Sequence, residues 1–95
     1  MVWLSIAKME LAEAVIYYDE NQPGVGKRFT DAIEEAGERI CRNPGWWPVY
    51  ESSVRGCRVF PFPYRLLYRE LPDRIQIVAL HHFSRRPGGW KHRLN

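Results

Sequence analysis

The chain reads as an α+β domain in which a short N-terminal strand and a helical hairpin pack on a small antiparallel sheet, in the order β-α-α-β-β-β. Three observations predict this fold. Apolar residues recur at helical spacing through the first 42 residues; from Arg55 onward the texture changes to runs rich in Val, Phe, Tyr, Leu and Ile; and Pro, Gly or Asn marks the joints between segments.

Trp3 to Ser5 is short and apolar and predicts an edge strand, with Ser5 the candidate cap of the helix that follows. In that helix Ala7, Leu11, Ala14, Val15 and Tyr18 share one face, while Lys8, Glu10, Glu13, Asp19 and Glu20 lie mostly elsewhere. It is therefore expected to be amphipathic and to end near Asn21. Pro23-Gly24 breaks the chain. Val25, Phe29, Ala32, Ile33, Ala36 and Ile40 then recur at intervals of four, three, one, three and four, the strongest periodic signal in the sequence. So short a connection folds the two helices back antiparallel. Asn43-Pro44-Gly45 ends the second.

Arg58 to Phe62 predicts one strand, Pro63 to Leu71 a second and Arg74 to His82 a third, with Leu71-Pro72-Asp73-Arg74 as a tight turn. Sequential strands so closely linked predict an antiparallel sheet. In the last strand Ile75, Ile77 and Ala79 alternate with Gln76, and Val78 and Leu80 then make both faces apolar, as in a strand buried between neighbours. One sheet face is expected to meet the helices and the other to stay open for function.

The 95 residues give room for one compact domain, taken as residues 1–95, and a composition of 45% hydrophobic and 26% charged residues suits a folded core. No apolar run approaches the ~18 residues of a membrane span, so a cytoplasmic protein without membrane contact is expected. Two cysteines, Cys41 and Cys57, form no C-x-x-C pair and are expected to be reduced, packed thiols. The net charge of +3 hides an asymmetry. Residues 1–54 carry five Lys/Arg against nine Asp/Glu, whereas residues 55–95 carry nine against two. A positive field concentrated in one half attracts nucleic acid and acidic protein partners alike.

Four local motifs then line up in order. Ala14-Val15-Ile16-Tyr17-Tyr18 precedes Pro23-Gly24-Val25-Gly26 and Phe29; Ile40 runs to Trp47-Pro48; Phe62-Pro63-Tyr64-Arg65-Leu66-Leu67-Tyr68 follows; and His82 is trailed by Arg85, Arg86, Pro87, Gly88 and Trp90. Together they resemble the ParE branch of the RelE/ParE toxins over nearly the whole chain. The resemblance implies the toxin of a type II toxin-antitoxin (plasmid stabilisation) pair, held inactive by a cognate antitoxin that wraps around it. In the ParE branch the implied action is poisoning of DNA gyrase without an active site. In the RelE branch it is ribosome-dependent cleavage of messenger RNA, and a non-toxic interaction domain is the third alternative.

Cleavage of RNA at its 2′-OH needs a base, an acid and cations around the transition state. By resemblance Arg65 takes the place of the RNA-cleaving branch's catalytic arginine and Arg58 that of one of its lysines. Phe60 stands where a second basic strand residue is found, Ser84 replaces the arginine after the last strand, and Trp90 replaces the tyrosine of base catalysis. Tryptophan cannot exchange protons near neutral pH, and losing a base removes ~10²–10⁴ of rate. His82 is the candidate substitute, so the catalytic set, if there is one, is Arg65, His82 and Arg58. Strand alternation puts Arg65, Leu67 and Arg69 on the face opposite Tyr64, Leu66 and Tyr68. The candidate surface for a target or nucleic acid is Arg55, Arg58, Arg65, Arg69, Arg85, Arg86 and Trp90. Those arginines read equally well as a solvated sheet face.

No cofactor, metal or small-molecule substrate is implied, since His81 and His82 are adjacent and point oppositely on a strand. Tyr17, Tyr18, Tyr64 and Tyr68 are expected in the helix-sheet interface, Trp46 and Trp47 in core and loop packing, and Glu34, Glu35 and Glu38 on an exposed helix face.

Overall fold

In the computed structural model, residues 1–86 and 88–94 are described. Strand β1 (Val2–Trp3) leads into helix α1 (Ser5–Asn21) and helix α2 (Val25–Arg42); strands β2 (Val49–Glu51), β3 (Val54–Arg58), β4 (Tyr64–Leu71) and β5 (Arg74–His82) follow, and a 3-10 turn spans Lys91–Leu94. The α+β class and the helix hairpin are as the sequence predicts. The sheet has the order β1-β5-β4-β3-β2 and is mixed: β1 runs parallel to β5, and the other pairs are antiparallel. The expectation of a purely antiparallel sheet is corrected here, because the chain crosses from β1 through both helices before returning to lie beside it.

The Pro23-Gly24-Val25-Gly26 junction has a physical basis. Gly24 takes a left-handed φ of 90°, which favours glycine. The Gly26 amide donates to the Asp19 carboxylate at 2.9 Å, and a Cβ on Gly26 would lie 2.6 Å from that carboxyl carbon. Asp19 from the end of α1 thus caps the start of α2. Ser5 does not play that part for α1: the extended residue before the helix is Leu4, and no side chain caps it.

The strand expected at Arg58 to Phe62 is corrected: it lies at Val54–Arg58 and shares only Arg58 with the expected span. Pro61 and Pro63 follow it, and proline has no N–H for a ladder, so residues 59–62 turn instead. Strand β2 went unpredicted. It reaches β3 through Ser52 and Ser53, both at positive φ (53° and 65°), a conformation that serine seldom signals.

The main core lies between helices and sheet, where Phe29, Ala36 and Ile40 of α2 meet Cys57, Leu66, Tyr68, Ile77 and Leu80. Tyr18, Tyr64, Phe29 and Phe62 stack around one another at its end, with ring centroids 4.9–6.5 Å apart. Tyr17 is the exception among the tyrosines, 60% exposed. Of the tryptophan pair, Trp47 packs on the core while Trp46 is 76% exposed. Glu34, Glu35 and Glu38 lie on the exposed side of α2. Cys57 is buried and Cys41 exposed, both as free thiols.

A register shift sets the second layer. Leu67 pairs with Ala79 but Tyr68 with Ile77, leaving Val78 as an extra residue in β5. Val78 and Ala79 therefore both face away from the helices, with Val54 and Leu67, and Trp90 closes over them at 4% exposure. The sheet face expected to be open is thus covered over its middle by the C-terminal segment. Three ion pairs and hydrogen bonds tie that segment down: Lys91 to Glu51 at 2.8 Å, Arg93 to both oxygens of Glu10 at 2.9 Å, and Arg93 to the Val78 carbonyl at 3.1 Å.

Candidate target-binding face

Arg58 and Arg65 are direct cross-strand partners at the end of β3 and the start of β4, and directly opposite residues project on the same face. That face is the one turned away from the helices, since Tyr64, Leu66 and Tyr68 face the main core and Leu67 the second cluster. The alternation read from the sequence is the one found.

Both guanidinium groups rest on Phe83, at 4.1 Å from the ring centroid for Arg65 and 5.4 Å for Arg58. Phe60 supports Arg58 at 5.2 Å and Tyr50 supports Arg65 at 5.5 Å. Tyr50 is placed by Gly56, where a Cβ would stand 2.3 Å from the tyrosine ring. Among the described residues neither guanidinium has a carboxylate partner or a side-chain hydrogen bond. His81 is the next residue in the row, paired with Arg65, and its Nε2 lies 3.3 Å from the Arg86 carbonyl.

The remaining candidates lie elsewhere. Arg69 is one alternation further from this end than Leu67 and donates to Gln76 at 2.8 Å. Arg55 is on the helix side of β3, paired with Tyr68; it donates to the Trp47 carbonyl at 2.7 Å and lies 3.9 Å from Glu70. Trp90 is no surface residue but the plug of the second cluster, because its indole is the largest apolar group available to cover Leu67 and Val78. Pro87 of the C-terminal motif lies outside the described residues.

His82 falls on the opposite side of the sheet from Arg65. It pairs with Tyr64, whose ring meets the imidazole edge-on at 4.9 Å, and its Nδ1 accepts from the Ser84 amide at 3.0 Å. Arg65, Arg58 and His82 are therefore not assembled as one catalytic set. Among the phenols of the core, burial pushes the Tyr18 and Tyr64 pKa values up, only partly opposed at Tyr64 by Arg85, and pushes Tyr68 up to about 12, away from a base's working range.

Arg85 and Arg86 border a second feature, an open groove of ≈ 720 Å³ between α1, β5 and the C-terminal segment. Glu10, Glu13 and Tyr17 line its α1 wall, and His82 its floor. The outer side of α1 beside it carries four exposed apolar residues, Ile6, Met9, Ile16 and Tyr17, interleaved with the exposed Glu13 and Glu20. The helix expected to be amphipathic thus has apolar residues on both sides, since its small buried residues Ala7 and Ala14 meet the core while larger ones face outward.

Sequence reasoning met Phe60 only as the replacement of a basic strand residue, and did not single out Tyr50 and Phe83 beside the arginines, nor this outer face of α1. Apolar residues at Ile6, Met9, Ile16 and Tyr17, off the core stripe, were the available signal for the latter.

Comparison with curated protein sequences gives no match. Among solved structures, one from P. aeruginosa described as "Chromosomal ParDE TA system from P. aeruginosa" has the same fold, with a TM-score of 0.76 and 17% identity over 86% of this chain and 92% of that one. The family model for the ParE toxin of type II toxin-antitoxin system, parDE, matches residues 1–87. The chain belongs to the ParE toxin family of type II toxin-antitoxin systems.

Proposed function

We propose that this toxin acts in the cytoplasm by poisoning DNA gyrase through the Arg58–Arg65 face, and that its antitoxin silences it by covering the outer side of α1 and the adjoining groove. The observation that carries the choice of target is the separation of the residues cleavage would need. Arg58 and Arg65 share one sheet face while His82 packs on Tyr64 at the other. A surface that lacks a placed acid and base still binds, and binding is all a poison requires.

Support for the antitoxin's place comes from surface chemistry. Ile6, Met9, Ile16 and Tyr17, exposed on one face of α1 with Glu13 and Glu20 among them, offer apolar area that a partner helix or extended segment would bury, and Arg85 and Arg86 across the groove suit its carboxylates. Expression of the chain alone and with its neighbouring reading frame tests the pair: growth arrest alone and relief by the neighbour are expected. Purified gyrase in a supercoiling assay, run beside primer-extension mapping of messenger RNA ends, tests the target. Loss of supercoiling with intact messages is the expected result; new message ends with normal supercoiling would favour a ribosome-dependent nuclease, and neither effect an interaction domain.

A further inference from the structure

Two like charges in neighbouring ladder positions repel, and exposed aromatic rings are left in water at a free-energy cost. Both occur at one end of the sheet. The other strand arginines of this protein are partnered, Arg55 with Glu70 and a carbonyl, Arg69 with Gln76 and Arg74 with Asp73. Among the described residues, Arg58 and Arg65 are the strand arginines that stand together with only rings for company. Phe60 is 65% exposed, and Tyr50 and Phe83 are exposed beside it.

From this juxtaposition we infer that the Arg58–Arg65 site binds a single-stranded nucleic acid segment, with a backbone phosphate bridging the two guanidinium groups and an unstacked base on Phe60. A phosphodiester relieves the repulsion of the pair, and arginine's planar fork suits its oxygens. The alternation of cation and ring matches that of phosphate and base along a single strand, where aromatic stacking is tolerant of sequence. An acidic protein segment would satisfy the charges but leave Phe60 in water. A duplex offers phosphates but no free base faces.

The inference rests on assigning this face to the toxin's target, and it names what the face touches there: unpaired strand in a nucleoprotein complex. Its test uses no gyrase, so the two stand or fall separately. The full-length chain is titrated against a short fluorescently labelled DNA single strand, its RNA counterpart and the matching DNA duplex, read by anisotropy at several salt concentrations, with poly-glutamate as competitor. Single strands are expected to bind better than duplex, and the DNA and RNA arms identify the sugar preferred. Arg58→Ala and Arg65→Ala should each weaken binding, and the double variant should lower the log–log salt slope by about 0.7, the contribution of the one phosphate they share. Phe60→Ala should weaken binding roughly five- to hundredfold while leaving that slope unchanged. Equal affinity for duplex, displacement by poly-glutamate at equal charge concentration, or binding indifferent to all three substitutions in folded variants would overturn the inference.

Discussion

Arg93 and Glu10 lock the C-terminal segment to α1 with two parallel hydrogen bonds, each 2.9 Å long, and together they occupy the edge of β5 that β1 leaves free. Chain β1 turns away after Leu4 donates to Ile77; beyond it the Leu80 amide donates to Glu10 and the Val78 carbonyl accepts from Arg93. Two side chains thus stand in for a missing strand and satisfy backbone groups that would otherwise be bare.

Removing either partner is expected to destabilise the fold by about 2–4 kcal/mol, because the other is left as a largely buried charge. Urea unfolding of Glu10→Ala and Arg93→Ala measures this. Hydrogen exchange adds a local check, since the Leu80 amide should exchange faster in Glu10→Ala.

Trp90→Ala should destabilise by about 3–5 kcal/mol, since it empties the centre of the second cluster. Thermal unfolding would show Tm lowered by more than about 10 °C. A loss of under 1 kcal/mol would mean that the C-terminal segment is not docked as described.

Alkaline unfolding reports on Tyr68. Burial raises its pKa to about 12 from an ordinary value near 10, and its hydroxyl donates to the Pro44 carbonyl. A phenol raised in the folded state keeps its proton after the unfolded chain has released it. Stability is therefore complete below pH 10 and is lost as pH rises toward 12, by on the order of 2 kcal/mol. Tyr68→Phe should be less stable at pH 7, through the unpaired carbonyl, yet show a shallower decline over this window.

The helices were legible because one physical cause governed them. The α2 stripe from Phe29 to Ile40 is buried as spaced, and the turn at Pro72-Asp73 delimits β4 and β5 as read. Where the sequence misled, a different force decided. Prolines at 61 and 63 outweighed the aromatic residues that suggested a strand there, and Ser52-Ser53 makes a hairpin turn without the usual asparagine or glycine. Of the candidate site, the shared face of Arg58 and Arg65 followed from strand alternation. The fate of Trp90 did not, because Gly88-Gly89 reads as a loose tail and only tertiary packing against Val78, itself displaced by the bulge, holds it down. The separation of His82 from Arg65 follows from the same bulge and strand register, which no single-residue pattern announces.

Tyr17→Ala should weaken antitoxin binding by at least about 30-fold, as expected of an exposed aromatic anchor at an interface centre, and Met9→Glu should do so by adding an unpaired charge. Both residues are exposed, so stability should stay within about 0.5 kcal/mol of the parent. Isothermal titration with the antitoxin, beside urea unfolding, separates the two effects. Unchanged affinity in both variants would place the antitoxin elsewhere.

The most direct measurement is gyrase supercoiling in the presence of the Arg58→Ala/Arg65→Ala double variant, with antitoxin binding as the check that it is folded. The parent chain is expected to inhibit supercoiling and the variant to lose at least about tenfold in potency while still binding antitoxin. Full inhibition by the folded variant would contradict the assignment of this face to the target.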